Sequence, residues 1–286
     1  MASPLDTHAH IISTDAARYP RAPIGGRASD WSQSRPVDVA AMIAAMDAAG
    51  VARTALVQAS TCYGHDNSYV ADAVAAHPDR FTGVCSLDVL APDAAAALRQ
   101  WLARGFTGLR IFTTGSTMAG QQLDVLDDPR SFPVWEAADT AGIPVCLQMT
   151  AKALPQVEML AQRFPRVRIL LDHFARPDLE DGPPYARAAG LWALTRHRNI
   201  FLKASPHTFA AAKSGKATPA SFFRRTVEEF GAARICWGSN FPAAEGTLAA
   251  LLALARENFA SLPASDQEWI FTKTALALYP ALGAAK

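Results

Sequence analysis

The segment Phe132-Pro-Val-Trp-Glu-Ala-Ala-Asp-Thr-Ala-Gly-Ile-Pro-Val-Cys-Leu-Gln148 decides how the rest of the chain is read. Phe132 to Ala141 carries apolar residues at helical spacing. Gly142 fits the end of that helix, and Pro144 to Gln148 is an apolar run of strand length directly after it. Leu154 to Phe164 and Arg168 to Asp172 repeat the unit. Helix, glycine, short strand, helix is the pattern of βα units built around a parallel sheet.

The same alternation extends to both ends of the chain. Candidate strands are Leu5 to His10, Arg53 to Gln58, Phe81 to Leu87, Gly108 to Phe112, Pro144 to Gln148, Arg168 to Asp172, Ile200 to Ala204 and Arg234 to Trp237. Val37 to Ala49, Ala91 to Arg104 and Thr218 to Phe230 add helices. Pro36 and Asp38 suit a first turn, and Gly50 and Gly105 suit C-termini. Eight strands so connected predict an α/β fold, a single (β/α)8 TIM barrel over residues 1–286, closed by a last helix from Asp266 to Leu278. One connection is out of scale. Ile11 to Ser34, rich in Pro, Gly, Arg and Ser, is either a lid over the barrel mouth or a surface excursion without a role.

Half of the residues are hydrophobic and 19% are charged, enough apolar material for a large core. Lys and Arg exceed Asp and Glu by only one, without a basic stripe, so nucleic acid is not an expected partner. No apolar stretch is long enough to span a bilayer, and no leader precedes the first strand, which points to a cytoplasmic protein. The four cysteines, Cys62, Cys85, Cys146 and Cys236, are widely separated and read as reduced core residues. The expected partner is a small-molecule substrate, and a homo-oligomer is left open.

In a βα barrel the strand C-termini and the loops after them form the working face. Strand one ends in Asp6-Thr7-His8-Ala9-His10, where alternation turns His8 and His10 inward provided that Leu5, Thr7 and Ala9 pack outward. Strand six ends in Asp172-His173 and brings a third imidazole to the same rim. Three imidazoles can polarise a carbonyl directly or hold one zinc with an open position; a chance His-x-His or a core histidine is the plainer alternative. Arg110 shares a face with Gly108 and Phe112, inward if Leu109 and Ile111 meet the helices. A buried arginine needs an anion, which is either a salt bridge within the barrel or a substrate carboxylate.

The motifs Asp6 to His10 (DTHAH), Val57 to Ser68 (VQASTCYGHDNS), Gly108 to Phe112 (GLRIF), Leu171 to Pro177 (LDHFARP) and Trp237 to Pro242 (WGSNFP) together resemble the amidohydrolase-2 family. That family of metal-dependent-hydrolase-type barrels includes 2-pyrone-4,6-dicarboxylate lactonase and sugar-lactone hydrolases and isomerases. The resemblance spans nearly the whole chain and implies hydrolysis of a lactone or related cyclic ester, with His8, His10 and His173 as the imidazole cluster. It favours Arg110 as a clamp on a substrate carboxylate, Gln148 as a hydrogen-bonding partner of substrate, and Ser60, Tyr63 and Asn67 as neighbours of the ligand. Asn67 equally suits a turn or helix cap. Zinc on the three histidines is one form of the site and a metal-free site, as in the lactonase branch, the other. A lactone isomerase or a zinc-dependent decarboxylase is the nearest alternative chemistry.

The chain departs from the family at Asn240, where aspartate is usual. An amide takes up no proton near neutral pH and ligates metals poorly, so it cannot replace a carboxylate as general base. Altered natural chemistry, a substitution made to trap substrate, and a catalytically impaired binding protein are the three readings left open.

Overall fold

The computed structural model describes residues 3–113 and 126–283. Eight parallel strands follow one another in chain order around a single sheet: β1 (Leu5–Ala9), β2 (Arg53–Val57), β3 (Phe81–Ser86), β4 (Phe106–Phe112), β5 (Val145–Gln148), β6 (Ile169–Asp172), β7 (Ile200–Ala204) and β8 (Ile235–Trp237). Closure between β1 and β8 falls to the segment just after β8. Asn240 N donates to His8 O at 2.7 Å, His10 N donates to Phe241 O at 2.8 Å, and Ala9 bridges Phe241. The result is the TIM barrel predicted from the sequence, with strand ends differing by a residue or two.

Side chains divide by strand alternation. Leu109, Ile111, Val145, Leu147, Ile169 and Leu171 face outward into the layer shared with the helices. Leu5, Ala55, Val57, Val84, Cys146, Leu170 and Cys236 fill the barrel interior. Leu278, Tyr279 and Leu282 belong to this inner cluster and plug the barrel from below. Gly108 makes room for the plug, since a Cβ there would lie 3.0 Å from the Tyr279 ring. The expected last helix is a continuous helical run, Ala264–Leu278, with a wider π turn over Trp269–Lys273.

The first strand differs from expectation. Leu5 packs inside the barrel, and the Thr7 hydroxyl reaches inward-facing Cys236 Sγ at 3.4 Å. A bulge explains how His8 and His10 still turn inward. Pairing with β2 slips between Asp6 and Ala9, placing two residues, Thr7 and His8, opposite Ala55 and resetting the alternation. All four cysteines are free and buried, and no helix among the described residues is long and apolar enough to cross a membrane.

Candidate active site

Polar side chains occupy the top of the barrel interior, above the apolar floor. Asp172, fully buried, is the hub: its Oδ2 accepts from Arg110 Nε at 2.8 Å, and Lys203 Nζ lies 2.8 Å from its Oδ1. Burial acts to raise this carboxyl, but the neighbouring charges, led by Lys203, hold it well below the usual carboxylate range. Lys203 in turn is raised: burial works against its charge, and the carboxylate of Asp172 overcomes it. The lysine is therefore an ammonium, a donor with no lone pair.

That fixes the histidines. Lys203 Nζ is 3.2 Å from His8 Nδ1, which must accept. His8 Nε2 then carries the hydrogen and donates to His10 Nε2 at 3.2 Å, and His10 Nδ1 donates to Val57 O at 2.7 Å. Read backward from Val57, whose carbonyl can only accept, the chain gives the same tautomers. Both imidazoles are neutral. Burial, with Lys203 next, pushes His8 well below its ordinary range; burial, with Arg110 next, pushes His10 down to about 3.

His173 stands apart. Its Nδ1 meets Ser205 Oγ at 2.7 Å, and its Nε2 has no protein hydrogen bond among the described residues. Burial, the largest influence on it, keeps it neutral as well. The backbone beneath it is unusual: His173, Phe174, Ala175 and Arg176 all have φ between 53° and 57°. Consecutive left-handed residues of this kind are costly, on the order of 1–2 kcal/mol each. Such conformations concentrate where a side chain must be held in one direction.

Above these groups opens a cavity of about 580 Å³. His10, His173, Arg110, Gln148, Ser60 and Asn240 line it, joined by Arg176 and His207. Gln148 Oε1 accepts from Arg110 Nη2 at 3.0 Å, so the guanidinium is braced on two sides while still lining the cavity. The internal salt bridge read from the sequence is present, and Arg110 also lines the cavity. Asn240 sits in the left-handed region, φ 55°, which asparagine tolerates, with its peptide tied to His8. Gly238, two residues earlier, permits the close approach of β8 to β1: a Cβ there would stand 2.6 Å from His8 Cβ.

The long first connection forms one wall of this cavity. Arg27, Asp30, Trp31 and Arg35 line it, and the Trp31 ring stacks on His10 with centroids 5.3 Å apart. It is docked by Ser29 N to Thr61 O at 3.1 Å and Ala22 N to Cys62 O at 3.0 Å. Gly64 allows that docking, because it has φ 57° and a Cβ there would collide with Ala22 O at 2.5 Å.

Several expected substrate contacts fall elsewhere. His8 lies behind His10, outside the cavity wall. Tyr63 spends its hydroxyl on Ser13 N at 2.8 Å and so anchors the long loop. The Asn67 amide is consumed by the His65 and Ser86 carbonyls and by Ser86 N, a clamp between loop and β3. Asp172, Lys203, Arg176 and His207 also belong with the site; from sequence Lys203 and His207 are only weak candidates, Lys203 being free to pair with Asp172 or a ligand carboxylate, and it pairs with Asp172. His-x-His, Asn240, Arg110 and Gln148 announced themselves by position; Asp172 was hidden by its ambiguity as the last strand residue before His173.

The donor set does not fit a zinc ion on His8, His10 and His173. Such an ion needs the Nε2 lone pair of His8, where the Lys203 contact places a hydrogen. No carboxylate is spare, since Asp172 is shared by Arg110 and Lys203 and position 240 holds an amide. Among the described residues no three metal-ligating side chains converge.

A closed βα barrel with its polar groups gathered at the strand C-termini defines a barrel enzyme in which chemistry is set by the rim. The amidohydrolase family model matches residues 5–281. The chain belongs to that family and is a hydrolase of the amidohydrolase superfamily. It is 30% identical over 196 residues to an L-fucono-1,5-lactonase of Burkholderia ambifaria, an alignment covering 68% of this chain and 66% of that relative. In fold it resembles a crystal structure from Pseudomonas putida provisionally assigned as a 2-pyrone-4,6-dicarboxylic acid hydrolase (TM-score 0.79, 22% identity, 98% of each chain). It also resembles an amidohydrolase of Burkholderia multivorans with bound zinc (TM-score 0.76, 19% identity, 98% of this chain and 99% of that one).

Proposed function

We propose that the cavity hydrolyses a lactone or related cyclic ester bearing a carboxylate. The observation that carries this reading is the charge of the cavity wall. Arg27, Arg35, Arg110 and Arg176 line it against a single lining carboxylate, Asp30; behind the wall Arg35 pairs with Glu245 at 3.5 Å and Arg110 with Asp172 at 2.8 Å, so Arg176 is the guanidinium with no acidic partner among the described residues. Asp30 itself is engaged by Arg27 at 3.8 Å. A surplus of guanidinium in a partly dry cleft selects an anion and is poorly suited to a neutral sugar.

Arg110, braced by Asp172 and Gln148, holds the acid end in a fixed orientation. The ring carbonyl then lies within reach of the Asn240 amide, whose N–H can donate to the oxygen as negative charge builds there. His173, neutral and with Nε2 uncommitted, takes the proton of the attacking water and returns it to the ring oxygen as the C–O bond breaks. His8 and His10 do not move protons in this scheme. Their ring nitrogens are paired with protein, and His10, backed by His8, sets the floor against which substrate is placed.

The test is hydrolysis of a panel of lactones by the protein as purified and again with added zinc, 2-pyrone-4,6-dicarboxylate and L-fucono-1,5-lactone included. Turnover of the acidic lactone, preference for it over the neutral one, and indifference to zinc are expected. Preference for the neutral lactone would overturn the carboxylate assignment. Because Asn240 leaves the wall without a carboxylate base, one second reading stands: tight binding without consumption, together with turnover by Asn240→Asp, would make this a binding protein.

A further inference from the structure

A second cavity, of about 510 Å³, opens between the loops that follow β5 and β6 and the segment near Leu191. Arg176 lines both cavities and stands between them. Lys152, Arg187, Thr150 and the carboxylate of Asp178 join Arg176 as the polar part of the second wall, with Leu154 and Leu191 opposite in character. Arg187 is neutralised by Asp178 and by Glu180 at 3.2 Å. Lys152 and Arg176 have no acidic partner among the described residues. Arg176 Nε and Thr150 Oγ1, both closed off from solvent, have no hydrogen-bond partner among the described residues. A wall that combines two uncompensated cations and an aliphatic patch lacks an acceptor-only group attached to an apolar body.

We propose that this second cavity binds a small organic acid with an apolar body, its carboxylate between Lys152 and Arg176 and its body against Leu154 and Leu191. A carboxylate supplies lone pairs for the Lys152 ammonium and the Arg176 guanidinium at once. Such an acid is either a separate molecule or the far end of an elongated substrate lying across Arg176. The site stands apart from what the first cavity hydrolyses, and its test reads binding without turnover.

Phenylacetate is the probe, titrated into the full chain by calorimetry, with acetate as the control. Lys152→Glu and Ala151→Trp alter exposed rim positions of the cavity, so both variants are expected to keep the wild-type melting temperature. Saturable one-site binding of phenylacetate is expected, weakened roughly tenfold by Lys152→Glu and lost in Ala151→Trp, where an indole fills the mouth. If an acidic lactone displaces phenylacetate, the site holds the distal end of a substrate; if both bind together, it holds a separate acid. No saturation, equal binding of acetate, or binding untouched by both variants would overturn the proposal.

Discussion

The ends of β1 and β6 both deliver histidines to the same rim, and they deliver them in opposite states. At β1 every ring nitrogen of His8 and His10 has a protein partner, in a line running from Lys203 to the carbonyl of Val57. At β6 the backbone is twisted through four left-handed residues, and among the described residues His173 Nε2 and Arg176 Nε have no hydrogen-bond partner. Committed polar groups build a floor; uncommitted ones are available to a ligand. The contrast separates residues that hold the site in shape from residues that act, although sequence gives both the same name.

The largest expected effect comes from the hub that serves both ends. Asp172→Asn leaves Lys203 and Arg110 facing each other in a buried site with no anion. Removing one partner of a buried ion pair typically costs about 3–5 kcal/mol, and urea unfolding should show a loss of that size. A loss below about 1 kcal/mol would mean that water reaches the two cations and that the line from Lys203 to His10 is not held as described. His173→Gln comes next and separates action from support. It should cut kcat by roughly 100-fold or more, the range of a general acid–base group. Its melting temperature should change little, since the amide still reaches Ser205. The reverse pattern, intact turnover with lost stability, would move the chemistry back to β1.

The barrel itself was legible because its signal is repeated. Eight apolar runs separated by helical patterns and closing glycines leave little choice of architecture, and strand ends were wrong only where one residue decides pairing. The site was legible where position carries meaning: His10 and His173 close the ends of strand runs, and Arg110 lies on β4, where alternation fixes its direction. What could not be read was commitment. Whether Tyr63 meets substrate or Ser13, and whether Asn67 meets substrate or Ser86, depends on loops that come together only in the fold. The bulge at Thr7 and His8 is likewise invisible in an alternating pattern, though it decides which side of β1 faces the barrel.

Acidification probes the comparison at smaller amplitude. His10 is held down at about 3 by burial, with Arg110 adding to the effect, against an ordinary value near 6.5. Between those two pH values the unfolded chain binds the proton and the folded chain does not. Stability contributed by the neutral ring is therefore complete above about pH 6.5 and is lost as pH falls, by at most about 1.4 kcal/mol per pH unit for one such group. His207, pushed down to about 4 by burial with Arg176 next, acts in the same direction from a more exposed position. Urea midpoints at pH 7, 5.5 and 4.5 should fall in that order, and His10→Gln should flatten the slope. An unchanged slope in that variant would assign the loss to other groups.

The smallest effect is a difference in cost between two alanines. Ala138 lies buried in the helix Phe132–Ala141, where glycine forfeits helix propensity and a buried methyl, about 2 kcal/mol together. Ala175 is equally buried, but its φ of 57° carries the left-handed penalty that glycine escapes. Relief of roughly 1–2 kcal/mol there offsets the lost methyl and the added freedom of the unfolded chain. Ala175→Gly should thus unfold within about 0.5 kcal/mol of wild type while Ala138→Gly does not. Equal costs at the two positions would mean that the β6 turn is not held left-handed, and that His173 and Arg176 reach the cavity by some other backbone path.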